Sequence, residues 1–215
     1  MRRIEKTNKP ISLAINAATW TSDLLDARKK GLPYKTIEVK YQQDDVRAAL
    51  RDETSRKCAY CEAIIDAVAY DHIEHIEPKS VFVAKTFEWS NLTLACPRCN
   101  TNKGSIPPTL TNFVNPYSED PEIIFKFIGP FMMHQPDDTR AQNMISWLDL
   151  NRTGLLEARA ELVAKIQDIF EKAMILDIAL RDEFVDLALA PLVRPSAKFS
   201  AAARAIIAAF RTTYV

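Results

Sequence analysis

Four cysteines constrain this chain of 215 residues more than any other feature of its sequence. They form two C-x-x-C pairs, separated by the 34 residues 62–95, and they use every cysteine in the chain: Cys58, Cys61, Cys96 and Cys99. A C-x-x-C turn places two thiolates on one side of the backbone, and two such turns complete the tetrahedron that zinc prefers. Because a closed four-thiolate site has no open coordination position, the sequence predicts a structural zinc that braces the fold.

The charge balance argues against a strongly basic nucleic-acid binder. Lysine and arginine number 28, as do aspartate and glutamate, and apolar residues make up 47% of the chain. The neutral total conceals an acidic excess over residues 118–190 between basic ends, which could steer a polyanion to one face and a basic partner to another. Ordinary solvated surfaces explain the acidic excess equally well. Neither a secretory signal nor a membrane span is visible, so we expect a cytoplasmic protein with no membrane partner.

Apolar periodicity predicts a mostly helical chain with a few short strands. Helices are expected over residues 11–31, 43–56 and 197–211, and over a long stretch at 154–190 that ends before two prolines, Pro191 and Pro195. We interpret the apolar residues of that long stretch as core. The remaining elements are expected to be strands at 69–76 and 92–95, a short helix from Pro97 to Gly104, and a hairpin that turns at Gly129-Pro130.

The residues between and after the cysteine pairs resemble the ββα-metal, or HNH, nuclease motif. They run Glu74-His75-Ile76-Glu77-Pro78, then Asn91-Leu92, then Cys99-Asn100, then Lys103. In that motif an acidic residue and a histidine end the first strand in a D/E-H-I-x-P pattern. An asparagine then precedes the second strand, and a histidine or asparagine lies on the following helix. The resemblance covers residues 57–104, and its elements are specific jointly rather than singly.

With the later stretch "LDLNRTGLLEAR", the same segments resemble the PtuB-like nuclease subunits of Septu-type anti-phage systems, some of which accompany retrons. This resemblance implies a bacterial defence endonuclease that acts on nucleic acid beside an ABC/SMC-like ATPase subunit of PtuA type, with retron components as further partners. DNA is the default substrate that the superfamily implies, with 3′-hydroxyl and 5′-phosphate products. RNA, including tRNA, stays open because we find no base-reading element.

Carried over residue by residue, the motif assigns the catalytic position to His75 and not to His72, since only His75 has a proline, Pro78, in the matching place. Glu74 takes the acidic position and Asn100 the position on the helix. A carboxylate, an amide oxygen and waters suit Mg²⁺ or Mn²⁺ better than a softer metal. We therefore expect a catalytic Mg²⁺ or Mn²⁺ held by Glu74 and Asn100, with His75 as general base.

Supporting roles follow from the same motif. Asn91 is expected to bond the backbone of the loop between the strands and so to position the catalytic histidine. Lys103 and Lys79 are expected to contact substrate phosphate. Asn102 stays open as an alternative to Asn100 as the metal ligand. The other polar residues nearby are interpreted as structural or incidental: Asp71, His72 and His134.

Two other interpretations stay open. A zinc deaminase carries H-x-E followed by P-C-x-x-C, and "HIE" and "CPRC" both occur here. However, alanine precedes Cys96, and the first cysteine pair would have no role. The second alternative is an inactive zinc-ribbon module that only binds nucleic acid. The presence of the complete set of catalytic residues argues against it.

The expected fold class is α+β and mostly α, with a zinc-braced ββα-metal (HNH) core flanked by helical segments. We place an N-terminal helical segment at residues 1–56, the nuclease core at 57–117, and a hairpin with a C-terminal helical region at 118–215. The C-terminal helices carry no chemical motif, and we assign them to docking of a partner.

Overall fold

The computed structural model describes residues 1–65, 70–108 and 112–214. Helices predominate among them, with two small antiparallel sheets, which confirms the α+β, mostly α, class. Packing divides the chain into a first unit, Ile4–Ala59 with Ile64–Leu110, and a second unit, Met1–Arg3 with Tyr60–Ala63 and Thr111–Val215. Within the described part of the chain, every helix is too short or too polar to cross a bilayer.

The first unit contains four helices and one two-stranded sheet among its described residues: α1 (Ile11–Lys29), α2 (Lys35–Glu38), α3 (Asp44–Thr54), β1 (His72–His75), β2 (Leu92–Ala95) and α4 (Pro97–Lys103). Pro10 precedes α1, and Gly31 follows it with φ +67°, as the predicted stop requires. Asp44 and Asp45 lie in the first turn of α3, where carboxylates oppose the positive end of the helix dipole. The two N-terminal helices predicted from periodicity are therefore confirmed, and α2 is additional.

The sheet of the first unit pairs β1 with β2 in antiparallel register, with His72 opposite Ala95 and His75 opposite Leu92. The predicted first strand began at Ala69, which lies outside the described residues; the strand observed is shorter. Pro97 opens α4, and Gly104 follows it with φ +53°. The sheet packs on a cluster of buried apolar side chains from α1, α3, the strands and the connection between them: Leu13, Leu24, Val46, Leu50, Ile73, Phe87, Leu92 and Leu94.

The described residues of the second unit form a short helix, a hairpin and four further helices: α5 (Pro121–Ile124), β3 (Phe125–Ile128), β4 (Phe131–His134), α6 (Thr139–Trp147), α7 (Thr153–Met174), α8 (Ile178–Val193) and α9 (Ser200–Tyr214). The predicted hairpin is confirmed, with Gly129 at φ +56° in its turn. α6 was not predicted as a separate helix, although the chain after the hairpin was expected to be helical. Its N-cap is Asp138, whose side chain accepts the N–H of Ala141.

The long helical stretch differs from its prediction in two ways. It is divided into α7 and α8, because the Asp177 side chain accepts the N–H of Ala179 and caps a new helix. Pro191 was expected to end the helix and does not, since α8 continues to Val193. A proline so close to the C-terminal end removes a single backbone hydrogen bond, which the preceding turns of the helix tolerate.

The interpretation of the apolar stripe as core holds for α7 and fails for part of α8. Ile166, Ile169 and Phe170 are buried, whereas Leu180 is exposed and Leu187 is 76% exposed. Apolar residues lie on every side of α8, so only one of its faces can turn toward the core.

Candidate active site and metal centre

The four cysteines form one cluster in which the sulfur atoms all lie within 4.8 Å of one another. The second pair belongs to the start of α4, where Cys96 is the N-cap and its Sγ accepts the N–H of Cys99 at 3.5 Å. Tetrahedral coordination with Zn–S of about 2.3 Å requires sulfur separations of about 3.8 Å. The thiol donor set and its compactness therefore fit a zinc ion, as the spacing predicted. The deaminase alternative required a histidine beside two cysteines, and this cluster holds four sulfurs and no histidine.

Glu74 is a buried carboxylate at the end of β1. Its side chain pairs with Lys103 of α4, with 2.8 Å between Oε1 and Nζ, and Lys103 is buried as well. Burial raises the pKa of Glu74 above its ordinary value, and the Lys103 ammonium opposes that effect. An oxygen ligand of this kind suits a hard divalent cation. The ammonium supplies the positive charge that a bound cation would otherwise bring.

His75, the next residue, is held as a neutral ring. Its Nε2 lies 3.0 Å from the backbone oxygen of Thr86, and because a carbonyl only accepts, Nε2 carries the hydrogen. Nδ1 therefore keeps its lone pair. Burial lowers the pKa of His75 to about 4, so the ring is unprotonated at neutral pH. This is the protonation state and the tautomer that a general base needs.

Asn91 bonds the backbone of the loop that connects β1 to β2. Its Oδ1 accepts the N–H of Glu77 at 2.7 Å, and its Nδ2 donates to the backbone oxygens of Glu77 and Lys85, at 3.0 and 3.1 Å. Thr86, which holds the ring of His75, directly follows Lys85. These three contacts tie the start and the middle of the loop to the residue before β2.

Asn100 contacts a histidine that the motif did not select. Its Nδ2 lies 2.8 Å from Nδ1 of His72. The alternation of a strand puts His72 on the same face of β1 as Glu74, and Lys103 lies one turn beyond Asn100 on α4. Polar contacts from both Asn100 and Lys103 therefore join β1 to α4. Since an amide nitrogen only donates, Nδ1 of His72 is the acceptor and Oδ1 of Asn100 stays available to another partner.

Lys79 lies beside residues that the sequence analysis missed. Its Nζ donates to the Tyr41 hydroxyl at 3.2 Å and lies 3.6 Å from Glu38. The Tyr41 ring meets His75 edge to face, with 4.6 Å between the ring centroids. No local signal marked Tyr41 or Glu38, because they precede His75 by more than 30 residues and come near it only through folding.

Asp71 has the structural role expected for it. It is buried and pairs with Arg47 and with Arg51, whose Nε lies 2.5 Å from Oδ2. These contacts join the start of β1 to α3.

Comparison with known proteins identifies the segment that holds these residues. Residues 58–105 match the family model described as HNH endonuclease. The segment is an HNH domain. It contains all four cysteines and every residue that the motif selected as catalytic, cation-binding or phosphate-binding. The resemblance stated from the motif is thereby confirmed.

The chain also resembles a curated protein beyond the HNH domain. It is 26% identical to the Septu protein PtuB of Bacillus mycoides (strain KBAB4), over 64% of this chain and 56% of that protein. The chain thus spans little more than half the length of that relative. The similarity confirms the resemblance to PtuB-like nuclease subunits.

Proposed function

We propose that this chain is a metal-dependent HNH endonuclease that hydrolyses phosphodiester bonds of nucleic acid, as the nuclease subunit of a bacterial anti-phage defence system of the Septu type. The observation that carries the proposal is the state of His75. Its ring is neutral, its Nε2 is engaged by Thr86, and it directly follows a buried carboxylate within an HNH domain.

In the proposed reaction, Nδ1 of His75 takes a proton from the attacking water. The water oxygen forms a bond to phosphorus, the bond to the 3′ oxygen breaks, and that oxygen leaves as a hydroxyl after taking up a proton. Glu74 and Asn100 would hold a Mg²⁺ or Mn²⁺ ion, which supplies neutralisation of charge on the leaving oxygen. Asn91 holds the loop that carries Thr86 and so keeps the ring of His75 oriented.

Lys103 and Lys79 are the proposed phosphate contacts of the HNH domain. Lys103 is almost fully buried in its pair with Glu74, so it can reach phosphate only when a cation takes over the neutralisation of that carboxylate. Lys79 is partly exposed and faces the side of His75 that Tyr41 covers.

We propose DNA as the substrate, a PtuA-like ATPase subunit as the protein partner, and the cytoplasm as the location. The similarity to a protein named Septu protein PtuB supports the partner. The retron association stays a prediction from the motif resemblance alone.

Nicking of supercoiled plasmid in Mg²⁺, with and without the ATPase partner, tests the function. His75→Ala is expected to lower the rate by about 10²–10⁴-fold, the usual contribution of a general base. His134→Ala is the control, because that histidine lies in the hairpin and bonds the backbone of Gln135. Equal nicking by the wild type and His75→Ala would refute the assignment. Binding of nucleic acid without cleavage of DNA or RNA by the wild type would favour the inactive module.

A further inference from the structure

A carboxylate of the N-terminal helices lies between two cationic side chains in the first unit. Oε1 of Glu38 accepts from Nη2 of Arg28 at 2.7 Å, and Oε2 of Glu38 lies 3.6 Å from Nζ of Lys79. The Arg28 and Glu38 side chains are 27% and 17% exposed, so solvent reaches the group. Two cations thus converge on one anion at the protein surface.

Arg28 has a donor that this carboxylate leaves unused. Its Nε is buried and has no hydrogen-bond partner among the described residues. A guanidinium presents Nε and one Nη as a parallel pair that matches two oxygens of one anion. Glu38 bonds Nη2 alone. A buried donor without an acceptor is costly, so the geometry favours an anion that offers oxygens to both nitrogens.

Both cations are held in place by aromatic rings, and one of them adjoins the proposed catalytic base. The Arg28 guanidinium lies 4.5 Å from the centroid of the Tyr34 ring, and Nζ of Lys79 lies 4.8 Å from that of Tyr41. Tyr41 in turn packs edge to face against His75. Lys79 therefore lies next to the position where the proposed chemistry occurs, and Glu38 links it to Arg28.

We propose that Arg28 and Lys79 form a clamp for a backbone phosphate of the nucleic acid, and that Glu38 is its internal competitor. The inference rests on the proposed function and deepens it by adding Arg28, which lies outside the HNH domain, to the substrate site. A phosphodiester carries two non-bridging oxygens and one negative charge. It can satisfy Nε and Nη2 of Arg28 together and replace Glu38 between the cations. The clamp holds a phosphate beside the scissile one.

The test measures dissociation constants against salt concentration for the full chain carrying His75→Ala, so that the probe is not cut. The probes are a short DNA duplex and a single-stranded RNA of equal length. Glu38→Gln is expected to tighten binding by about two- to fivefold, as release of a partly exposed ion pair allows. Arg28→Met is expected to reduce the slope of log K against log salt by about 0.9 on the duplex or about 0.7 on the single strand. Arg28→Lys should keep the slope and weaken binding, since lysine keeps the charge but lacks the paired N–H donors of the guanidinium.

An exposed ion pair, Asp26 with Lys30, provides matched controls on the same stretch of chain. Asp26→Asn and Lys30→Met make the same changes of charge as Glu38→Gln and Arg28→Met, and neither is expected to alter affinity or slope. The clamp is refuted if Glu38→Gln tightens binding no more than Asp26→Asn, or if Arg28→Met leaves the slope unchanged on both probes. If the clamp is refuted but the wild type still nicks plasmid, the proposed nuclease function stands. Binding that responds as expected, without any nicking by the wild type, would preserve the clamp and reject the nuclease.

Discussion

Polar residues around β1 each contact a specific partner, and two of them, Asp71 and Glu74, are buried. Asp71 bonds two arginines, Glu74 pairs with Lys103, and His72 meets Asn100. Removing one member of a buried pair leaves the other without compensation for its lost hydration. The effects of single substitutions can therefore be predicted residue by residue.

Asp71→Asn is expected to destabilise the protein at neutral pH and much less in acid. Burial opposes ionisation of Asp71, but hydrogen bonds from Arg51 and Arg47 outweigh it and hold its pKa below the ordinary value. Because the pKa is lower in the folded than in the unfolded state, the ionised carboxylate contributes stability above the unfolded pKa of about 3.9. That stability is lost as the pH falls through the folded pKa. Urea unfolding of both proteins at about pH 7 and about pH 3 measures the difference. Asp52→Asn, at an exposed position of α3, should show no such trend.

His72→Ala is expected to weaken binding of the proposed catalytic cation. Nδ1 of His72 holds the amide of Asn100 so that Oδ1 faces away from it, and loss of such a supporting contact typically costs about 10- to 100-fold in metal affinity. The affinity is measured by titrating the full chain with Mn²⁺ and monitoring the free ion by electron paramagnetic resonance. His72→Gln, which retains an acceptor, should recover part of the loss. Unchanged Mn²⁺ affinity in His72→Ala would show that the amide needs no such support.

At the scale of elements, the short helix and strands of the HNH domain depend on contacts beyond their own backbone hydrogen bonds. α4 has seven residues, and β1 and β2 have four each, which is too little for independent stability. The thiolate cluster fixes the start of α4, and Asn91 fixes the loop between the strands. Each fixed point gives a prediction.

Removing zinc is expected to unfold the HNH domain. In so small a domain, the free energy of binding a structural metal contributes directly to the free energy of folding. Cys99→Ser should therefore lower both the amount of bound zinc and the melting temperature. Metal analysis and thermal unfolding measured by circular dichroism check this, with a zinc-selective chelator applied to the wild type for comparison. Added Mg²⁺ should not restore the fold. A melting temperature that is insensitive to zinc would contradict the bracing role.

Asn91→Ala is expected to loosen the loop and lower the cleavage rate without changing cation affinity. The substitution removes three hydrogen bonds, and leaving their backbone partners unsatisfied costs about 1–3 kcal/mol. Denaturant unfolding gives the stability change, and plasmid nicking at saturating Mg²⁺ gives the rate. Asn91→Asp keeps the acceptor for the N–H of Glu77, so its stability and cleavage rate should lie between those of the wild type and Asn91→Ala. A rate equal to that of the wild type would show that the loop does not orient His75.

At the scale of the whole molecule, proposed chemistry and proposed docking belong to different units. The HNH residues selected as catalytic and phosphate-binding lie in the first unit. In the second unit, Ile175 and Ile178 at the turn between α7 and α8 are 85% and 79% exposed. Ile178 lines a cavity of about 410 Å³ together with Phe170 and Tyr214. An exposed apolar group of this kind is typical of a protein-binding surface.

Ile175→Asp combined with Ile178→Asp is expected to abolish capture of the chain by a tagged PtuA-like ATPase and to leave the basal nicking rate unchanged. Buried carboxylates at an apolar interface lose hydration without compensation. Ile11→Asp combined with Ile15→Asp is the control, because both residues are 70% exposed on α1 of the first unit. Capture equal to that of the control would refute docking through this turn.

Much of the fold could be predicted because it depends on local signals. The proline and glycine at the ends of α4, the carboxylates at the start of α3, and the Gly129-Pro130 turn act within a few residues of the elements that they bound. The division between α7 and α8 also has a local signal in the cap residue Asp177, which the continuous apolar pattern obscured. The exposure of Leu187 had no local signal, since burial depends on which neighbours cover a helix.

The sequence by itself determined the thiolate cluster, the HNH motif and the resemblance to PtuB-like proteins, because the spacing of ligands and motif residues is a property of the chain. Tertiary structure alone decided that Asn100 meets His72, that Lys103 neutralises Glu74, and that Tyr41 packs against His75. Of the other N-terminal residues, Glu38 contacts Lys79, and Arg28 contacts Glu38. Such contacts join residues that are distant in sequence. Their energies depend on burial and on partner geometry, which exist only once the chain has folded.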